Sequence, residues 1–156
     1  MIVLLAGIPL ATAAVLLFVS SKNEKLLKTL AIAATAIPCT FILFLLCGFQ
    51  PGLAGFQFVT TFAWIPQLGI EYKLGLDGIN ITLCLLHAIV SLAAVFTACW
   101  PKERLKEYLF YFLLLTGAIY GVFTSLNLFF LYLFCEMTLI PVFPMIGIWG
   151  SKNKSY

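Results

Sequence analysis

Asn127-Leu-Phe-Phe-Leu-Tyr-Leu-Phe-Cys-Glu136-Met-Thr-Leu-Ile-Pro141-Val-Phe-Pro144-Met-Ile-Gly-Ile-Trp149 is an apolar run with a single charged side chain, Glu136. Read as a helix rising about 1.5 Å per residue, it carries the carboxyl about 14 Å from the Asn127 end, near the middle of a hydrocarbon core about 30 Å thick. A charge at that depth costs at least about 2.5–3.5 kcal/mol on insertion scales, so it must face protein or water. Glu136 is therefore a functional candidate, beside the plainer reading of a hydrogen-bonded structural carboxyl in a kinked helix. Pro141 cannot donate to the carbonyl of Met137, nor Pro144 to that of Ile140. Two acceptors near Glu136 are thus freed, and neighbouring helices, water or a hydroxyl such as Thr138 must serve them. The run belongs inside a helical bundle.

Composition agrees with that setting. Of 156 residues, 63% are hydrophobic and 10% charged, which excludes an ordinary soluble domain and implies an all-α integral membrane protein. The net charge of +3 does not form a nucleic-acid patch, because the basic residues sit in short clusters between apolar runs. Cys39, Cys47, Cys84, Cys99 and Cys135 lie in or beside apolar runs without metal-ligand spacing, and read as small packing residues. No nucleotide-binding glycine loop, metal-ligand set, internal repeat or nucleophile–base pair is present, so no cofactor or metal site is expected in this chain.

Apolar runs predict one membrane domain over 1–156 with spans at about 1–19, 29–49, 79–99, 109–124 and 127–149. No basic residues precede the first run, which argues for a span rather than a cleaved signal. Between the second and third spans the texture changes. Phe56, Phe58, Phe62 and Trp64 alternate with Gln57, Val59, Thr61 and Ala63, and a second alternating piece holds Ile70, Tyr72 and Leu74. With Pro66-Gln67-Leu68-Gly69 as the turn, residues 56–76 predict a β-hairpin at the outer membrane surface; an irregular interfacial loop is the alternative. Asp77 or Asn80 is placed to cap the third span. His87 lies near the centre of that span, either as a proton relay or as a neutral imidazole bonded to a neighbouring hydroxyl or carbonyl. Gly117, Ala118 and Gly121 offer close approach to another helix.

If the five spans alternate, Lys22, Lys25, Lys28, Lys102, Arg104, Lys106, Lys152 and Lys154 share one side, leaving Lys73 opposite. The positive-inside rule then puts the N-terminus outward and the C-terminus toward the matrix or cytoplasm.

Two sets of residues carry a resemblance. Trp64-Ile-Pro-Gln-Leu-Gly69 with Leu76-Asp77-Gly78-Ile79, and Gly121-Val-Phe followed by Leu131-Tyr-Leu-Phe-Cys-Glu136-Met-Thr-Leu-Ile-Pro141 and Gly147-Ile-Trp-Gly150, resemble the N-terminal part of subunit 4 of NADH:ubiquinone oxidoreductase, respiratory complex I. That subunit belongs to the antiporter-like, proton-translocating family. The resemblance implies a larger fourteen-helix subunit in which inverted five-helix repeats form half-channels, with a hairpin on the outer face. It also assigns Glu136 to the family's fifth-span glutamate, paired with a lysine on a later broken helix. The residues themselves, apart from the resemblance, make His87, Thr138 and Pro141 candidates for the proton path or its structural support.

Departures are Asn127, where many members have an acid, and Cys135, where many have Trp. The implied setting is the mitochondrial inner membrane, or alternatively a bacterial plasma membrane. NADH, FMN, iron–sulfur clusters and ubiquinone are expected in other subunits, and the chain's own role is the proton-moving half of an NADH:ubiquinone reductase. No lysine lies inside a span, so a split or truncated subunit is expected, whose second polypeptide supplies the intramembrane lysines. Other membrane-arm subunits would be its neighbours. A fragment of a cation/proton antiporter and a non-catalytic membrane scaffold are the rival readings.

Overall fold

The computed structural model describes residues 2–53, 55–65, 67, 70–97 and 104–150. Most of the expected hairpin turn, the connection at 98–103 with Cys99 and Lys102, and the tail with Lys152 and Lys154 lie outside those residues.

Among the described residues five helices and one hairpin follow in order: α1 Val3–Phe18, α2 Glu24–Cys47, β1 Gln57–Ile65, β2 Ile70–Leu76, α3 Gly78–Thr97, α4 Leu105–Thr124 and α5 Leu128–Trp149. The helices α2, α3, α4 and α5 are long and apolar enough to cross a membrane. The first expected span is a shorter apolar helix of 16 residues, about 24 Å long. Two helices begin earlier than their apolar runs. An i,i+4 contact between Lys28 and Glu24 at 3.7 Å supports the first turns of α2. Arg104, at the N-cap of α4, pairs with Glu107 and so extends α4 into the charged connection.

Side chains finish the helix starts where the sequence offers them. Asp77 Oδ1 accepts from the backbone N–H groups of Ile79 and Asn80 at 3.0 and 2.7 Å, so Asp77 and not Asn80 caps α3. Asn127 Oδ1 accepts from Phe129 N–H at 2.9 Å at the start of α5. Neutral Asn performs the capping that an acid at this position also performs.

Helix α4 is the axis of the bundle, packed against α1, α3 and α5, while α2 bridges α1 and α3. Gly117 makes the α1 contact possible: a Cβ there would stand 2.6 Å from Leu10 Cγ and 3.1 Å from the carbonyl oxygen of Ala6. The buried threonine hydroxyls are satisfied within their own helices, as Thr116 donates to Phe112 O at 2.9 Å and Thr124 to Tyr120 O at 2.8 Å. This is the inexpensive way to hold a hydroxyl in an apolar interior.

The hairpin is antiparallel, with Thr61 opposite Lys73, Phe62 opposite Tyr72 and Ala63 opposite Glu71. Strict alternation fails at its start. The register shifts between Gln57 and Thr60, and Phe58 adopts φ +55°, so a bulge breaks the single face expected for Phe56, Phe58, Phe62 and Trp64. On its other edge β2 reaches the α4–α5 turn: Leu74 bridges Ser125, and Leu126 N–H donates to Lys73 O at 2.8 Å. Leu74 and Leu76 are fully buried beneath, beside Ile81 and Tyr120.

Candidate functional site

Helix α5 has apolar residues on every side, yet it buries only Phe130, Phe134 and Pro141. Spacings of 4 and 7 put these three on one stripe, which faces α4 and the hairpin. Phe130 packs between Trp64 and Tyr72, with ring centroids 5.1 and 4.5 Å away. Phe134 lies over Gly121, in the space that any side chain at that position would need.

Glu136 is two residues beyond Phe134, about 200° around the helix. It therefore points away from α4 and is exposed in this chain. The sequence led us to expect a buried carboxylate; within this chain it is not one, because the stripe that α5 buries is the opposite one. Around Glu136 an open groove is lined by Phe129, Tyr132, Leu133, Met137 and Ile140. Farther along, Phe143 is 84% exposed. The Tyr132 phenol, one turn earlier on the same face, lines the groove beside the Glu136 carboxylate. Among the described residues the ion pairs are Lys28–Glu24 and Arg104–Glu107, and neither involves Glu136.

Thr138 donates to the carbonyl of Cys135 at 2.7 Å. Of the partners open to the Met137 carbonyl that Pro141 frees, Thr138 is thus not the one in use here. Pro141 itself is buried, and α5 continues as helix through Pro141 and Pro144.

His87 stands elsewhere. Its Nε2 lies 3.1 Å from the carbonyl oxygen of Thr116, and its ring meets Tyr120 edge-on at 4.6 Å. An imidazole N–H donating to a backbone carbonyl ties α3 to α4. It faces α4 from one side while Glu136 faces away from α4 on another, so the two do not converge. Cys39, Cys47, Cys84 and Cys135 are free thiols. Among the described residues no group of three or more His, Cys, Asp or Glu could hold a metal.

Tyr132 and the aromatic grip on Phe130 are the features that sequence reading missed. Tyr132 was visible as the i−4 neighbour of Glu136. The grip joins Phe130 to residues on a hairpin earlier in the chain, before α3 and α4, and left no local signal.

These features define a multi-pass helical membrane protein whose last described helix presents one carboxylate on an otherwise apolar outer face. No family model matches the chain. It is 42% identical over 153 residues to NADH-quinone oxidoreductase subunit M of Rhodobacter capsulatus, covering 96% of this chain and 30% of that protein. It is 34% identical over 148 residues to NADH-ubiquinone oxidoreductase chain 4 of Chondrus crispus, covering 94% of this chain and 30% of that protein. The fold is shared with a chain of respiratory complex I from Thermus thermophilus with bound NADH, at TM-score 0.80 and 22% identity over 99% of this chain and 30% of that one. A chain of an archaeal membrane-bound sulfane sulfur reductase aligns at TM-score 0.71 and 24% identity, over 98% of this chain and 23% of that one. The chain is a homologue of the subunit M and chain 4 proteins, and it spans about 30% of the length of those relatives.

Proposed function

We propose that the chain forms the leading part of a proton-translocating membrane-arm subunit of an NADH:quinone oxidoreductase, in which Glu136 takes up and releases the proton. The observation that carries this reading is the orientation of Glu136: mid-way along an apolar helix, outward, with no cationic partner in the described chain. A carboxylate so placed in a membrane must be covered by protein or water. The cover is a further part of the subunit, a lysine-bearing helix that lies along Phe129, Glu136 and Ile140. Burial beneath that helix favours the protonated carboxyl, a nearby ammonium favours the carboxylate, and movement of the ammonium loads and unloads the proton.

NADH oxidation, flavin and iron–sulfur chemistry and quinone reduction belong, on this reading, to other subunits. Tyr132, one turn before Glu136 in the same groove, is placed to orient its side chain. The basic connections set the N-terminus outward and the C-terminus toward the matrix, or toward the cytoplasm in a bacterium.

The test is Glu136→Gln in the assembled complex, with NADH-driven proton uptake measured in proteoliposomes. Assembly is retained and coupled proton movement falls by about tenfold or more. Normal pumping by the assembled variant would reduce the chain to a membrane scaffold. Mass spectrometry of the natively separated complex, including intact masses, tests whether that covering helix belongs to the same polypeptide or to another.

A further inference from the structure

Apolar residues surround α5 on all sides, so hydrophobicity cannot choose which stripe faces the bundle. Yet the carboxyl of Glu136 works at one rotation only. Something must fix that rotation by shape. Three contacts do so, all near the start of the helix. Phe134 sits over the bare backbone of Gly121, where even one added carbon would overlap its ring. Phe130 is held between Trp64 and Tyr72 of the hairpin. The chain just before α5 is tied to β2 through Leu126 N–H and Lys73 O at 2.8 Å and through the Leu74–Ser125 bridge.

We propose that the hairpin and Gly121 together set the rotation of α5 and so aim Glu136, making Trp64, Tyr72 and Gly121 positioning residues for that carboxylate. The consequence for proton movement rests on the proposed role of Glu136; the consequence for geometry does not.

Phe134 and Glu136 are about 3 Å apart along the axis, so a displaced Phe134 is felt directly at the carboxyl. A turn of about 20° swings a group about 6 Å from the axis through about 2 Å. Misplacement of about 1 Å at a reacting group is enough to lower rates by about a hundredfold. Hairpin and helix start are joined by backbone and by aromatic rings, and a displacement of the hairpin is therefore delivered to α5 as a rotation rather than lost in a loop.

The experiment uses the assembled complex. Gly121→Ala, Gly121→Ala with Phe134→Leu, and Glu136→Gln are each compared with the unaltered protein by electron cryomicroscopy and by NADH-driven proton uptake in proteoliposomes. Gly121→Ala is expected to turn α5 relative to α4 and to lower proton uptake about tenfold, at normal content of assembled complex. Adding Phe134→Leu makes room for the new methyl and returns both readouts toward normal. If Gly121→Ala does not assemble, Trp64→Ala with Tyr72→Ala releases Phe130 and is judged by the same two readouts. An α5 that keeps its rotation in Gly121→Ala, or in the hairpin variant, overturns the proposal, as does a defect that Phe134→Leu leaves in place. A turned α5 together with normal pumping by Glu136→Gln sustains the geometric claim and removes the functional reading instead.

Discussion

The Phe134 ring occupies the space that a Cβ on Gly121 would require, so α4 and α5 meet through a glycine and an aromatic ring rather than through matched side chains. Four residues earlier, Gly117 does the same for Leu10 of α1. One stripe of α4 thereby admits two partners one turn apart, and each glycine can be tested by itself.

Gly117→Ala brings its methyl against the backbone carbonyl of Ala6 as well as against Leu10. Backbone cannot yield as a side-chain tip can, and the expected loss is about 1–3 kcal/mol of stability. Thermal unfolding of the purified complex checks this. Because Gly117 faces α1, the orientation of α5 is expected to stay as it is.

His87→Gln keeps a donor within reach of the Thr116 carbonyl and is expected to behave nearly as the native protein. His87→Leu loses that bond at a cost of about 0.5–1.5 kcal/mol, while coupled proton uptake per assembled complex is unchanged. A relay would give the opposite pattern: intact stability and lost uptake in both variants.

Asn127→Ala removes the acceptor for Phe129 N–H and should destabilise the start of α5 by about 1 kcal/mol, with Asn127→Asp restoring it. Hydrogen–deuterium exchange of the first turn of α5 is the measurement, because fraying there appears before global unfolding.

Burial raises the pKa of the Tyr72 phenol above its ordinary 10.0. The folded state thus binds the proton more tightly than the unfolded one, and the contribution is complete below pH 10 and lost as pH rises beyond it. Stability compared between native protein and Tyr72→Phe should therefore be parallel at neutral pH and diverge only in the alkaline range, with the native protein falling faster.

Sequence periodicity and capping chemistry located most of the elements, because both act over a few residues. Apolar runs separated by charged connections marked the helices, and alternation marked the hairpin. The Asp77 side chain marks a helix start because its acceptor reaches only the next two or three amides, and the structure adds Asn127 as a second such cap. Less legible were the bulge at Phe58, where a left-handed φ interrupts the alternation, and the length of α1, whose apolar run is longer than its helix.

By itself the sequence determined that this is a helical membrane protein with one carboxylate deep in its last apolar run, since the cost of burying charge is a property of the residue and its neighbours in the chain. The direction in which Glu136 points was decided only by tertiary structure. On a helix apolar all round, one stripe is as good as another until Phe134 meets Gly121 and Phe130 enters the space between Trp64 and Tyr72. Those contacts join distant parts of the chain, and shape, not hydrophobicity, selects among the rotations that the sequence left equal.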